Sequence, residues 1–316
     1  MRPALLILVP MADSGLATLS DAFDIVHAPT QGRLEQALSA HGQFIRLVLT
    51  NGARGIDAAT MARLPALEMI GALGVGYENI ALDAARARGI KLSNGAGTND
   101  DCVADHALAL LLAVVRQIPR LDRLTRDGIW RDALSYLPNF SGKKLGILGL
   151  GSIGRKVAKR GAGFDLEIGY HNRRPLADSP YPYFDSLIGL ASWADYLLVA
   201  TPGGAGTHHL VDAGVIEALG AQGYLVNVAR GSVVDTTALA DALERGALGG
   251  AGLDVYESEP KPPARLIDSE RVVLTPHVAG WSPQAMAASV GLFVANARRH
   301  LAGEDLLTPI PAAAVG

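Results

Sequence analysis

Three polar side chains stand just past the C-terminal ends of predicted strands. Arg230 ends the run Leu225-Val-Asn-Val-Ala-Arg230-Gly231, Glu259 lies in Leu253-Asp254-Val-Tyr-Glu-Ser-Glu259-Pro260, and His277 follows Val273-Leu-Thr-Pro276. Taken singly, each has an ordinary reading: a solvated loop arginine, a turn glutamate before proline, a structural histidine. Taken together they suit one chemistry. Reduction of a carbonyl that neighbours a carboxylate needs a proton donor at the carbonyl oxygen, a cation for the carboxylate, and a group that sets the donor's pKa. His277, Arg230 and Glu259 fill those roles in that order. A carboxylate bonded to imidazole favours the imidazolium and raises its pKa.

Such a reaction needs a hydride carrier, and Lys144-Leu-Gly-Ile-Leu-Gly149-Leu-Gly151-Ser-Ile-Gly154 offers a site for one. Gly-x-Gly-x-x-Gly here follows an apolar strand and opens a helix. Gly149 permits the tight turn, Gly151 lets the backbone approach a pyrophosphate, and Gly154 lets helix and strand pack closely. The helix N-terminus then presents free N–H groups to the phosphates. The next strand ends in Tyr170-His171-Asn172-Arg173-Arg174-Pro175. An NAD site usually carries Asp or Glu at this place for the ribose 2′-hydroxyl. Asn172 followed by two arginines favours a 2′-phosphate instead, because guanidinium groups bind phosphate through charge-assisted bonds. NADP(H) is the expected cofactor, with NAD(H) kept as a second option; no metal is expected.

The elements that must position these residues alternate between strand and helix, which implies α/β architecture with parallel sheets. One set of strands precedes residue 100: Leu5–Val9, Asp24–His27, Ile45–Leu49, Met69–Leu73 and Lys91–Leu92. Helical patterns such as Gln31–His41 and Ala81–Arg88 separate them. A long helical stretch, Asp101–Arg126, follows, with Pro119 as a kink or break. The second set comprises Lys144–Leu148, Glu167–His171, Tyr196–Ala200, Tyr224–Asn227, Gly250–Val255 and Val272–Leu274, and a last helix spans about Pro283–Ala302. The cluster Pro202-Gly-Gly-Ala-Gly206 reads as a loop at a strand's C-terminal end, the side on which open α/β sheets bind ligands.

At 316 residues the chain has room for two domains, and 49% of it is hydrophobic. The formal net charge of −3 gives no footprint for nucleic acid. Cys102 is the single cysteine, so an intramolecular disulfide or a cysteine-rich metal site is ruled out, which fits a cytoplasmic enzyme. The apolar run Ala4–Val9 is too short for a signal peptide or a membrane span.

The glycine fingerprint, Asn227-Val-Ala-Arg230-Gly231, Gly252-Leu-Asp254-Val-Tyr-Glu-Ser-Glu259-Pro260 and Thr275-Pro276-His277, in that order, resemble the signatures of the D-isomer-specific 2-hydroxyacid dehydrogenases. The resemblance covers nearly the whole chain. It implies two Rossmann-like domains with a cleft between them: residues 1–98 with 286–316 as the substrate-binding domain, and 99–285 as the dinucleotide-binding domain. It implies Arg230, Glu259 and His277 as the catalytic set, and Asp254 near the nicotinamide carboxamide. Gly74-Val75-Gly76 resembles the substrate loop whose backbone N–H groups hold the carboxylate, with Arg230 and His277 completing the substrate contacts. The expected cofactor contacts are Gly149, Gly151, Ser152, Ile153, Gly154, Asn172, Arg173, Arg174, Thr201, Pro202, Val228, Ala229 and Asp254. A homodimer built around the cofactor domains is implied as well, with no membrane or nucleic-acid partner.

Within the family, Tyr170-His-Asn-Arg-Arg, Asp127-Gly-Ile-Trp130 and Leu306-Leu-Thr-Pro309 are most similar to glyoxylate/hydroxypyruvate and plant hydroxyphenylpyruvate reductases. Glu259 speaks against the formate dehydrogenases, which carry Gln there. The chain closes soon after its last helix, so the regulatory domain of long phosphoglycerate dehydrogenases is not expected. Trp281-Ser-Pro283 and Asp105 depart from common family residues, and Tyr136-Leu137 are candidates for lining a substrate pocket, of their own or of the neighbouring subunit. The expected reaction is NADPH-dependent reduction of a 2-oxo acid to the D-2-hydroxy acid. Two alternatives stand beside it: oxidation of a D-2-hydroxy or sugar acid, and a dinucleotide-sensing protein like the related corepressors.

Overall fold

The computed structural model describes residues 2–311; residues 312–316 of the expected substrate-binding domain lie outside the described residues. The chain forms two compact units, and the second is inserted into the first. The first unit contains β1 (Ala4–Ile7), α1 (Asp13–Ser20), β2 (Asp24–His27), α2 (Gln31–His41), β3 (Ile45–Asn51), α3 (Ala58–Ala62), β4 (Met69–Leu73), α4 (Leu82–Ala87) and β5 (Lys91–Ser93). The second, residues 100–279, begins with α5 (Asp100–Val115) and α6 (Ile118–Arg126). It continues through β6 (Lys144–Leu148), α7 (Ser152–Ala162), β7 (Glu167–His171), α8 (Leu187–Trp193), β8 (Tyr196–Val199) and α9 (Ala213–Leu219). It ends with β9 (Tyr224–Asn227), α10 (Thr236–Glu244), β10 (Gly250–Leu253) and β11 (Val272–Leu274). The chain rejoins the first unit at Gly280, ahead of residue 286, and α11 (Pro283–Leu301) packs there.

Both sheets are parallel throughout, in the orders β2-β1-β3-β4-β5 and β11-β10-β9-β8-β6-β7. Parallel strands flanked by helices bury both faces, so successive residues serve opposite cores. Leu5 and Ile7 pack on α11 through Val290, Phe293 and Ala297, whereas Leu6 and Leu8 face Leu34, Leu38 and Met61. In the second sheet Leu145 and Ile147 face the α5 side with Leu111, and Leu148 faces the side of Leu190 and Leu219. The order of the second sheet reverses between β6 and β8, the switch point beside which ligands of open α/β sheets bind.

Several expected boundaries move for local reasons. The stretch expected as one kinked helix to Arg126 is two helices meeting at a 57° bend. The break falls at Gln117, which takes a left-handed φ of 49°, and Pro119 sits in the first turn of α6, where its missing N–H costs nothing. The first strand starts and stops earlier than Leu5–Val9, and β8 stops at Val199 rather than Ala200. The strand expected to reach Val255 stops at Leu253, because Asp254 turns to serve the next loop. Among the described residues, no single helix is long and apolar enough to cross a membrane.

Candidate active site

The glycine turn between β6 and α7 is shaped by contacts that tolerate no side chain at two of its three glycines. Gly149 has φ 98°, and a Cβ there would lie 2.8 Å from the backbone of Ala200 and Thr201 at the end of β8. At Gly154 a Cβ would come within 2.2 Å of Gly149 O. Gly151 differs: a Cβ there would meet no protein atom within 4 Å. The open space beside its backbone, at the start of α7, is a cradle a pyrophosphate fits. Ile153 packs into the core beneath.

Asn172 caps this turn in an unforeseen way. Leu150 N–H donates to Asn172 Oδ1 at 2.8 Å, and Gly149 N–H donates to His171 O at 3.0 Å. Asn172 thus ties the end of β7 to the glycine turn. Ser152 is likewise engaged, its hydroxyl donating to buried Asp100, a residue the sequence reading did not single out. Arg173 and Arg174 are exposed, and among the described residues neither has a hydrogen-bond or ion-pair partner. Two unengaged guanidinium groups at the strand end beside the phosphate cradle suit an anionic ribose substituent.

The catalytic candidates gather at the ends of β9, β10 and β11. Asn227, almost fully buried, donates to Arg230 O at 3.0 Å and accepts from Ala229 N–H at 3.0 Å, which sets the turn carrying Arg230. Val228 and Ala229 are buried in that turn, and the stem of Arg230 lies over Gly203, just past Thr201 and Pro202. Gly231 passes so close to Tyr256 that a Cβ would be 2.0 Å from its carbonyl carbon, so the Arg230 turn and the Glu259 turn touch through backbone. Glu259 accepts from Tyr256 N–H at 2.9 Å through one oxygen and from His277 Nδ1–H at 2.8 Å through the other.

His277 adopts a left-handed φ of 55°, unusual for a residue with a Cβ. Asp254 holds it there. His277 N–H donates to Asp254 O at 2.8 Å, while Val278 N–H and Ala279 N–H donate to the Asp254 carboxylate at 2.9 Å each. Thr275 Oγ1–H adds a third bond to that carboxylate at 2.6 Å, and His106 Nε2–H donates to Thr275 Oγ1 at 2.9 Å. Asp254 is 1% exposed, so the residue expected beside a nicotinamide carboxamide is the buried post on which the His277 turn is built. Burial pushes its carboxyl up, but the bonds from His106, Thr275 and the two amides outweigh this and hold it below the usual carboxylate range. The link from His106 to Thr275 and Asp254 is legible only in three dimensions, since His106 lies on α5, far from the strands it serves.

Electrostatics divide the pair as an acid and its support. The hydrogen bond to Glu259 raises the His277 pKa above its ordinary value, against desolvation and the nearby Arg230 charge. Desolvation lifts Glu259, but the bonds from His277 and Tyr256 and the charges of His277 and Arg230 bring it below the usual range. With Nδ1 committed to Glu259 and the side chain about half exposed, His277 presents Nε2 outward.

The Gly74–Gly76 loop belongs to the first unit, at the end of β4. Gly74 has φ 75°, and its N–H donates to Ser289 Oγ on α11 at 3.2 Å, so this amide is not free for a ligand as expected. Val75 and Gly76 N–H have no partner among the described residues.

This arrangement, a glycine turn at a sheet switch point and an imidazole–carboxylate pair beside an arginine, defines a dinucleotide-dependent dehydrogenase. The family model described as D-isomer specific 2-hydroxyacid dehydrogenase, NAD binding domain, matches residues 108–279. The chain belongs to that family, an oxidoreductase family that works with a nicotinamide cofactor. It is 38% identical to glyoxylate/hydroxypyruvate reductase A of Arabidopsis thaliana, over 96% of this chain and 98% of that protein. The figures are the same for hydroxyphenylpyruvate reductase of Plectranthus scutellarioides. A crystal structure of an NADPH-dependent glyoxylate/hydroxypyruvate reductase from Sinorhizobium meliloti, in complex with NADP and malonate, superposes with TM-score 0.89 at 35% identity. It covers 98% of this chain and 97% of the other.

Proposed function

We propose that the protein reduces small 2-oxo acids to D-2-hydroxy acids with NADPH. The observation that carries this reading is the His277–Glu259 bond of 2.8 Å beside Arg230. Arg230 binds the substrate carboxylate and polarises the adjacent carbonyl, fixing which face of the carbon is presented. His277 Nε2 donates its proton to the carbonyl oxygen, and Glu259 stabilises the imidazolium beforehand. In the first unit, the Val75 and Gly76 amides are suited to a carboxylate. The turn at Gly149, Gly151 and Gly154 holds the pyrophosphate of the cofactor, which when bound supplies the hydride. Arg173 and Arg174 bind the 2′-phosphate. The names of the two curated relatives support a 2-oxo acid substrate, and the NADP in the Sinorhizobium structure supports the cofactor. The same groups serve oxidation when the proton runs from hydroxyl to neutral imidazole.

We also infer a homodimer built on the cofactor unit, because Ile118 (55%), Trp130 (68%) and Tyr136 (104%) are exposed there. A reducing cytoplasm suits a chain with Cys102 as its one cysteine.

The test is an NADPH-oxidation screen over glyoxylate, hydroxypyruvate, phenylpyruvate, hydroxyphenylpyruvate and 2-ketogluconate, with chiral chromatography of the product. Turnover of 2-oxo acids with release of the D isomer is expected; a predominantly L product overturns the geometry. NADPH should exceed NADH by at least ~10-fold in kcat/KM, since charge-assisted bonds to the phosphate contribute about 1.5 to 3 kcal/mol. Replacing Arg173 and Arg174 together by Ala should remove most of that preference by raising the KM for NADPH. Equal use of both cofactors by the unmodified enzyme rejects the arginine assignment.

A further inference from the structure

A second cluster of ligating side chains lies among residues that take no part in the reaction. His208 and His209 occupy the loop after β8, and Glu257 lies in the turn between Asp254 and Glu259, 48 residues from His209. A ring nitrogen of each histidine and a carboxylate oxygen of Glu257 all lie within 4.8 Å of one another. The two rings are stacked with centroids 4.0 Å apart. His209 adopts a left-handed φ of 48°, which turns two consecutive rings to one side.

The surroundings fix these groups from behind. His209 Nε2 is 2.6 Å from Glu257 Oε1, while Asp235 Oδ2 stands 3.7 Å from His209 Nδ1, on the opposite edge of the ring. Asp235 stands at ion-pair rather than hydrogen-bond distance, close enough to accept from Nδ1–H once Nε2 takes an ion, the arrangement that orients ligating imidazoles in many metal sites. Thr236 N–H donates to Glu257 Oε2 at 3.0 Å, and His209 N–H donates to Ser232 O at 2.8 Å.

We propose that His208, His209 and Glu257 form a binding site for a divalent transition ion of the zinc class. Two imidazoles and a carboxylate suit zinc, whereas magnesium and calcium prefer all-oxygen sites. Zinc lies about 2 Å from each donor, so donors sharing an ion stand about 3.3 Å apart. The His209–Glu257 bond opens slightly to admit the ion, and exposed His208 swings out of the stack to complete the set. Water supplies the remaining position. The ion links the loop that packs on Arg230 to the turn that carries Glu259.

Untagged protein, stripped with a chelator, is titrated with zinc chloride and separately with magnesium chloride by isothermal titration calorimetry. Zinc is expected to bind once per chain, and magnesium to give no binding at the same concentrations. His208→Ala and Glu257→Gln should each weaken zinc binding at least ~10-fold. Asp235→Asn keeps a good cap for α10 and should also weaken it about 10-fold. His277→Ala should leave zinc binding unchanged. Absence of zinc binding, full affinity in both His208→Ala and Glu257→Gln, or loss of binding in His277→Ala each overturns the assignment. Because His208 is exposed, its variant retains the fold, and circular dichroism of each variant checks this.

Discussion

His277 Nδ1 has one partner, and that bond decides over what pH range the ring can act as an acid. In the proposed reduction the imidazolium gives up a proton, so the rate should fall as pH rises through the His277 pKa. Glu259 raises that pKa and extends the active range upward. Glu259→Gln removes the charge that favours the cation, so the fall in kcat/KM should move to lower pH. An unchanged profile in the Gln variant, measured with NADPH and a 2-oxo acid, speaks against the pairing. His277→Ala should lower the reduction rate by roughly 10²- to 10⁴-fold while leaving NADPH binding, read by fluorescence titration, largely intact. Arg230, Glu259 and His277 stood out in the sequence because each lies just past the end of a predicted strand, and the structure brings His277 within 2.8 Å of Glu259. Their support did not: His106 on α5 reaches buried Asp254 through Thr275, and no spacing rule joins that helix residue to strand ends so far along the chain.

At the scale of elements, the glycine turn separates two requirements that the sequence presents as one motif. Gly154 is required by the protein itself, since a methyl group there would meet Gly149 O at 2.2 Å. Gly154→Ala should therefore destabilise the fold by about 1–3 kcal/mol, as overpacked sites do, seen as a lower denaturation midpoint. Gly151 is required only by what lies outside it. Gly151→Ala should unfold at the wild-type midpoint and bind NADPH at least ~10-fold more weakly, because the added methyl occupies the phosphate approach. A Gly151→Ala protein with unchanged cofactor affinity removes the cradle reading. Strands were legible throughout because parallel strands buried on both faces are continuous apolar runs bounded by turn residues. Short helices such as α3 were not, since five residues carry too little periodicity. The break before α6 was legible from Pro119 in kind but not in place, because a proline in a first turn marks the start of a helix as readily as a kink.

For the whole molecule, Ile118, Ile129, Trp130 and Tyr136 leave apolar surface on the cofactor unit uncovered. Light scattering on a sizing column should give a dimer mass, and replacing Trp130 and Tyr136 together by Ser should shift it toward the monomer. A wild-type monomer at micromolar concentration rejects the dimer. The order of the chain has another result. The apolar face made by Leu5, Ile7, Leu47, Leu49 and Met69 is covered by Val290, Phe293, Val294 and Ala297 of α11, which follow the entire inserted unit. During synthesis, at about 5–20 residues per second, that face waits on the order of ten seconds or more for its cover. The inserted unit, continuous in sequence, can fold as it leaves the ribosome, while the unit that begins first is completed last. The nascent chain therefore presents a sheet with one face incompletely covered to the cell's chaperones for most of its own synthesis.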